Sequence, residues 1–141
     1  MFTRRSDMHA HRLAWIVIAI SLIAAAPVAV ARIMNNTIDA LAIVADGGRH
    51  LVVTGPITCT AGEQSILRVT VTQRATGAIA EGQTLVVCSG AAQEWEAHAA
   101  IQGRQSFQLG SAVAVASART TTRGDTTDAH QWLVPITLVA E

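Results

Sequence analysis

The stretch HLVVTGPITCT, residues 50–60, decides the fold class because its side chains change character at every step. The odd-numbered positions are Leu, Val, Gly, Ile and Cys, whereas the even-numbered positions are mostly polar or β-branched. Apolar residues recurring with a period of two are typical of a half-buried β-strand rather than a helix. Pro56 has no backbone N–H to donate, so the strand is predicted to lie at an edge, or to be bulged, near that residue.

The same alternation recurs down the chain, punctuated by turn-forming residues. The predicted strands are Thr37–Ala45, His50–Thr60, Ser65–Arg74, Gln83–Cys88, Glu94–Ile101, Ser106–Ala118 and His130–Ala140. Asp46-Gly47-Gly48 is a strong hairpin signal, and residues 119–127 are predicted to form a polar loop. Seven short antiparallel strands in about 110 residues predict an all-β fold, specifically an Ig-like antiparallel β-sandwich of about seven strands.

The N-terminus has the pattern of an export signal. Residues 1–12 carry three Arg against one Asp, and residues 13–31 are uncharged and end in Ala29-Val30-Ala31. A basic start, an apolar stretch and small residues before the cut predict a signal helix over residues 1–31, removed between Ala31 and Arg32. The alternative is an uncleaved membrane anchor through residues 13–31. In either case residues 32–141, a single domain, are expected outside the cytoplasm, secreted or at the cell surface.

Composition excludes a disordered chain and gives no support for nucleic-acid binding. Half of the residues are apolar, which excludes a disordered chain. Residues 32–141 contain seven Arg, no Lys and nine acidic residues. This weakly acidic balance gives no electrostatic reason to expect nucleic acid as a partner.

The two cysteines suit an exported domain. Cys59 and Cys88 are the only ones in the chain, and both fall on predicted inward faces of strands. An even count in a small exported domain predicts one disulfide bond. Two separate buried thiols are the alternative, and the usual zinc-ligand spacing is absent.

A group of short motifs resembles a known class of protein. The motifs are Gly55-Pro56-Ile57-Thr58-Cys59, Gly62, Val69-Thr70-Val71-Thr72-Gln73, Cys88-Ser89-Gly90, Gln93-Glu94-Trp95, Phe107 and Gly110-Ser111-Ala112. Over roughly residues 51–118 the chain is similar to small exported Ig-like proteins of high-GC Gram-positive and related bacteria. The resemblance implies an Ig-like sandwich with a Cys59–Cys88 bridge and Trp95 packed nearby. It implies no activity and no site residues.

No recognised catalytic signature is present, so the chain is predicted not to be an enzyme and to need no cofactor or metal. Glu94, Glu96 and His98 form the densest titratable cluster, because alternate strand residues share a face about 7 Å apart. They could contribute to a metal site or a carboxylate pair, but a solvated outer strand face is the favoured interpretation. Asp128 and His130 are interpreted in the same way, and His50 is isolated in the sequence.

Arg123-Gly124-Asp125 is a candidate binding loop. Integrin-binding fibronectin modules present the same tripeptide in the equivalent loop, so both motif and placement are similar. Gly-Asp is also ordinary turn chemistry, which leaves a purely structural role open. The segment Ala112–Ala118 is apolar on both faces, and an outer face lined by Ala would be either solvated or a flat surface for a partner.

These observations favour an exported or cell-surface binding or structural domain. Its ligand is open between an extracellular protein, a glycan and a small molecule. One alternative is a small-molecule carrier, because antibiotic-binding chromoproteins of actinomycetes are similar in size and composition, although this chain lacks their two-disulfide pattern. A wide cavity between the sheets would favour the carrier. The other alternative is an adhesion module that uses the Arg123-Gly124-Asp125 loop.

Overall fold

A computed structural model describes residues 33–141 and confirms the all-β class with seven strands. The strands are β1 (Leu41–Ala45), β2 (His50–Thr58), β3 (Gln64–Gln73), β4 (Ala78–Val87), β5 (Ala92–Ile101), β6 (Gly110–Thr122) and β7 (Asp125–Ala140). A single 3₁₀ turn, Asp46–Gly48, joins β1 to β2 where the sequence predicts a hairpin turn. The predicted signal helix and the cut after Ala31 lie outside the described residues.

The strands close into a barrel in the order β1-β2-β5-β4-β3-β6-β7. All neighbours are antiparallel except β1 and β7, which are parallel. The short β1 therefore closes one seam by pairing with β2 on one side and β7 on the other. The second seam is closed by only three residue pairs, Ala80–Gly82 against Ala99–Ile101. This closure differs from the two separate sheets of the expected sandwich.

Gly82 accounts for the second closure. A Cβ atom at this position would lie 2.5 Å from the carbonyl oxygen of His98, so only glycine allows β4 to approach β5 this closely. Beyond Gly82 the two strands separate, and residues 83–87 of β4 pair with β3 alone.

The interior is filled by small and medium side chains. Every second residue of each strand points inward, and Leu51, Val53, Leu67 and Val71 are completely or almost completely buried. The expectation of an Ala-lined outer face on β6 is wrong. Ala112, Ala114, Ala116 and Ala118 are among the most buried residues, and Val113 and Val115 lie on the outside. Small side chains on the inner face let the barrel walls approach each other.

Strand bounds differ from the expected ones by more than two residues at four places. β1 begins at Leu41 rather than at Thr37. β4 begins at Ala78 rather than at residue 83, and the expected polar loop 119–127 is mostly strand, since β6 ends at Thr122 and β7 begins at Asp125. Residues 106–109 are not strand. The buried amide of Gln73 bonds both the backbone N–H (2.9 Å) and the carbonyl (2.8 Å) of Gln108 and so holds this segment off the ladder.

The disulfide prediction is confirmed. Cys59 and Cys88 are bonded, with Cα atoms 5.3 Å apart, and they join the end of β2 to the end of β4. Two backbone hydrogen bonds flank the bridge, from Gly62 N–H to the carbonyl of Cys88 (3.2 Å) and from Gly90 N–H to the carbonyl of Cys59 (3.1 Å). The bridge therefore fixes the end of the barrel at which β4 and β5 have separated.

β2 pairs with β5 from His50 to Thr58 without a register shift, so the bulge that was one of the two expectations for Pro56 is absent. The other side of β2 is an irregular edge near Pro56. On that side its neighbour is the segment before β1, which makes only scattered bonds to it. Thr37 N–H donates to the carbonyl of Pro56 (3.4 Å), and Met34 forms an isolated bridge with Thr58. Within residues 33–141 no helix is long and apolar enough to cross a bilayer.

Candidate functional site

The Arg123-Gly124-Asp125 tripeptide lies at the exposed tip of the β6–β7 hairpin, not in a long loop. Arg123 (φ 52°) and Gly124 (φ 88°) are the two central residues of a tight turn, and Asp125 pairs with Thr122. Positive φ at both central positions is the hairpin geometry that asparagine and glycine usually provide, so Arg123 is an uncommon choice there. All three residues of the tripeptide are exposed, so the turn presents the side chains of Arg123 and Asp125 to solvent.

The root of this hairpin rests on a buried carboxylate that sequence reasoning missed. Glu63 is only 8% exposed, and it accepts hydrogen bonds from the hydroxyls of Thr122 (2.8 Å) and Thr127 (3.2 Å). From the sequence, Glu63 was assigned to the turn that contains Gly62. Its buried contacts could not be predicted, because its threonine partners are about sixty residues away in the chain. The contacts brace the hairpin against the start of β3.

The Glu94, Glu96 and His98 cluster lies on the exposed outer face of β5, as predicted. The structure does not bring all three side chains together. Glu96 Oε1 lies 2.9 Å from His98 Nε2, but the Glu94 carboxylate forms no hydrogen bond or ion pair within residues 33–141. None of the three residues lines the two large grooves on residues 33–141 that are described below. Over the same residues, no group of three or more His, Cys, Asp or Glu is placed to hold a metal ion.

His50, isolated in the sequence, belongs to this cluster. It lies on β2 beside β5, and its Nε2 is 2.8 Å from His98 Nδ1. A carboxylate can only accept, so His98 Nε2 carries the proton toward Glu96. In a neutral ring His98 Nδ1 then accepts from His50 Nε2. A continuous chain of hydrogen bonds therefore links His50, His98 and Glu96.

Asp128 and His130 have a structural role. Asp128 Oδ2 accepts a hydrogen bond from the backbone N–H of Ile33 (2.8 Å), which ties the start of the described chain to β7. His130 Nε2 lies 3.3 Å from the same carboxylate. The Ile33 hydrogen bond is the largest cause that lowers the pKa of Asp128, followed among the lowering contributions by the Ala129 N–H and by His130.

The outer surface of β4, β3, β6 and β7 forms one continuous sheet face, here called the broad face. Strand pairing aligns its outward side chains in rows across the four strands. A central polar row runs Gln83, Arg68, Ser117, Gln131, and the next row runs Glu81, Thr70, Val115, Leu133. Arg68 Nε donates to Gln83 Oε1 (2.9 Å), and a groove of about 610 Å³ lies over these two rows.

Exposed apolar side chains flank the polar row of the broad face. Leu85 is 54% exposed on one side of it, and Leu133 is 63% exposed on the other. On the Leu133 side, the exposed side chains of Val113 and Ile79 extend the apolar surface into the next row. Sequence reasoning missed this surface because it depends on the registers of three strand pairings.

A second groove, of about 560 Å³, lies over β1. It is lined mainly by apolar side chains, among them Leu41, Ile43, Val52 and Val139. Leu41 is exposed to nearly the same extent as Leu133, at 57%. The two surfaces share strand β7, whose Val139 lines this groove, but Leu41 and Leu133 lie on different strands and can be mutated separately.

Comparison with known proteins adds no relative: no protein-family model matches the chain, and no curated protein matches it.

Proposed function

We propose that the chain is an exported Ig-like domain that binds a protein partner through its broad face. The observation that carries this proposal is the arrangement of that face, in which a polar row centred on Arg68 lies between exposed apolar side chains. Exposed apolar side chains clustered beside a polar groove mark a candidate interaction surface, and arginine is among the residues that contribute most to binding at protein interfaces.

The chemistry of the broad face favours a protein over a glycan. The three aromatic side chains within residues 33–141, Trp95, Phe107 and Trp132, are directed into the core rather than onto this face. The face therefore offers no aromatic ring for stacking on a sugar. Arg68 and Arg119, in adjacent rows, match a partner segment that carries carboxylates.

The strand order supports the Ig-like part of the proposal. In constant-type immunoglobulin domains strands one, two, five and four share one sheet, and strands three, six and seven share the other. Here β1-β2-β5 and β3-β6-β7 are the corresponding runs, but β4 departs from the pattern, because it pairs with β3 along its whole length and with β5 over only three residues. The disulfide departs from that pattern, because it joins β2 to β4 rather than to β6.

Two observations support export. The N-terminal 31 residues have the composition of a cleavable signal. The Cys59–Cys88 bond is weakly consistent with an oxidising, extracytoplasmic location.

Affinity capture with matched variants tests the proposal. The bait is the purified chain, incubated with native culture medium and cell-envelope extract. Leu133→Asp on the broad face and Leu41→Asp over β1 make the same change at equally exposed positions. We expect Leu133→Asp and Arg68→Glu to lose a protein that wild type retains, and Leu41→Asp to keep it. Retention by both broad-face variants, or loss by Leu41→Asp alone, would move the binding surface away from the broad face.

The adhesion hypothesis remains a second candidate because the Arg123-Gly124-Asp125 turn is fully exposed and braced. Asp125→Glu preserves charge but lengthens the side chain, so it should abolish integrin-dependent cell attachment while leaving the fold unchanged. Attachment equal to that of wild type would remove this candidate.

The filled interior of the domain does not favour the hypothesis of a small-molecule carrier. The interior between the sheets is occupied by buried side chains, and the grooves found over residues 33–141 lie on the outer surface. A small apolar ligand would therefore have to displace core side chains.

A further inference from the structure

We propose that His50 and His98 form a binding site for a divalent late-transition-metal ion, with Glu96 as the positioning residue of His98. The observation is the hydrogen-bonded chain across β2 and β5, in which two imidazole nitrogens, His50 Nε2 and His98 Nδ1, lie 2.8 Å apart. The site is separate from the broad face, because it lies on β2 and β5, which are not among the four strands of that face.

The separation of the two nitrogens is close to that of a chelating pair. A zinc ion binds imidazole nitrogens at about 2.0–2.1 Å, so two tetrahedral ligands lie roughly 3.3 Å apart. The rings must therefore move apart by about half an ångström. His98 is 59% exposed at its side chain, so this movement disturbs no packed interior. Both imidazoles bind in the neutral form: the His98 proton stays on Nε2, and the His50 proton moves from Nε2, where it bonds His98 in the metal-free site, to Nδ1.

Glu96 provides the support that metal-binding histidines usually have. A ligating imidazole typically donates its other N–H to a carboxylate, which fixes the tautomer and the ring orientation. The 2.9 Å contact between Glu96 Oε1 and His98 Nε2 already has this geometry. His98 is thereby held with Nδ1 directed at His50 before any ion arrives.

The surrounding charge favours a cation. Neither β2 nor β5 contains an Arg, whereas β5 carries Glu94 and Glu96 on the same outer face. Thr54, which pairs with Glu96, donates a hydrogen bond to the carboxylate of Asp39 (2.6 Å) and so brings a third acidic side chain near.

Ligand chemistry selects the ion. Imidazole suits Cu²⁺ and Zn²⁺, whereas Mg²⁺ and Ca²⁺ require oxygen ligands. Two nitrogens leave the other coordination positions to water or to donor atoms of a bound partner. The affinity order expected is Cu²⁺ above Zn²⁺, with no measurable Mg²⁺ binding.

The test uses the full chain with His9→Ala and His11→Ala, so that His50, His98 and His130 are the only imidazoles. Calorimetric titration should give one Zn²⁺ per chain, and the electron paramagnetic resonance spectrum of one equivalent of Cu²⁺ should show coupling to two imidazole nitrogens. His50→Ala and His98→Ala should each weaken binding at least about tenfold, and Glu96→Gln about 10- to 100-fold. His130→Ala, the matched control, should bind as the parent does.

Three results would overturn the proposal: no binding of Zn²⁺ or Cu²⁺ by the parent chain, unchanged binding by His50→Ala, or equal weakening by His130→Ala. Unchanged binding by Glu96→Gln would overturn its positioning role. Thermal unfolding of each variant verifies that the barrel is intact, which is expected because His98 and Glu96 are largely exposed and His50 only partly buried.

Discussion

At the scale of single residues, Trp95 is the aromatic side chain on which the core depends most. It is 2% exposed, and its ring packs against the backbone at Gly55. Trp95→Ala should lower the free energy of unfolding by about 3–5 kcal/mol, because it leaves a large cavity in the interior. Denaturant unfolding measures the loss. Leu133→Ala is the control and should change stability by less than about 0.5 kcal/mol; an equally small effect of Trp95→Ala would place Trp95 outside the core.

Asp128 gives the fold a pH-dependent contact. Its pKa is held below its ordinary value of 3.8, chiefly by the Ile33 N–H. A carboxylate with a lowered folded-state pKa stabilises the fold above its unfolded pKa, and this contribution disappears as the pH falls through the folded value.

Asp128→Asn should therefore cost about 1 kcal/mol at pH 7, because the amide oxygen can still accept the Ile33 N–H and only the difference between a charged and a neutral hydrogen bond is lost. The difference between wild type and variant should shrink as the pH falls below about 4 and vanish well below it. Unfolding curves from pH 7 to 2 provide the measurement. A difference that stays constant over this range would mean that the charge of Asp128 does not matter.

The sequence predicts part of the histidine and glutamate cluster on β5 but not its contact with β2. The exposure of Glu94, Glu96 and His98 follows from strand alternation and was predicted. The participation of His50 could not be predicted, because it depends on the register of β2 against β5, two strands about 48 residues apart in the chain. Alternation gives the face of a side chain but not its neighbour on the next strand.

At the scale of elements, the three-pair contact between β4 and β5 is the weakest part of the barrel. Gly82→Ala should break it, because the new Cβ would lie 2.5 Å from the His98 carbonyl oxygen. We expect a loss of more than about 1 kcal/mol in unfolding free energy and faster amide exchange at Ala99–Ile101. Gly103→Ala is the control, since a Cβ there meets open space. Equal stability of the two variants would show that the closure contributes little.

Two strand segments were missed because their local composition does not predict a strand. Residues 78–82, Ala-Ile-Ala-Glu-Gly, contain one β-branched residue and a glycine, so strand propensity alone does not identify them. The Thr, Arg and Asp content of residues 119–127 predicts a loop. In the structure, however, Thr120 is buried and the Glu63 carboxylate accepts a hydrogen bond from Thr127, which holds the segment as a hairpin. Tertiary contacts decided both segments.

At the scale of the whole molecule, the disulfide offsets a core of small side chains. The loop between Cys59 and Cys88 spans 29 residues. Replacing both cysteines by Ala should lower stability by about 3–4 kcal/mol, by chain-entropy arithmetic. Denaturant unfolding of oxidised wild type against Cys59→Ala/Cys88→Ala tests this. A loss below about 1 kcal/mol would show that the barrel does not need the bridge.

Fold class, strand number and the bridge were predictable because alternation, turn residues and cysteine count are local or countable features. Barrel closure was not, since it follows from one close approach at Gly82 and from β1 pairing with both β2 and β7. The inward direction of the β6 alanines was also missed, because residues 112–116 are apolar on both faces, whereas the polar residues that mark the valine face as the outer one, Ser111, Ser117 and Arg119, lie beyond that segment.

Site-specific photo-crosslinking tests the proposed broad-face interaction most directly. A photoreactive amino acid is placed at Leu133 on the broad face or at Leu41 over β1, and the chain is irradiated in its native extracellular medium and envelope extract. We predict a discrete protein adduct from position 133 and none from position 41. An adduct from position 41 alone, or none from either position, would contradict the broad face as the binding surface.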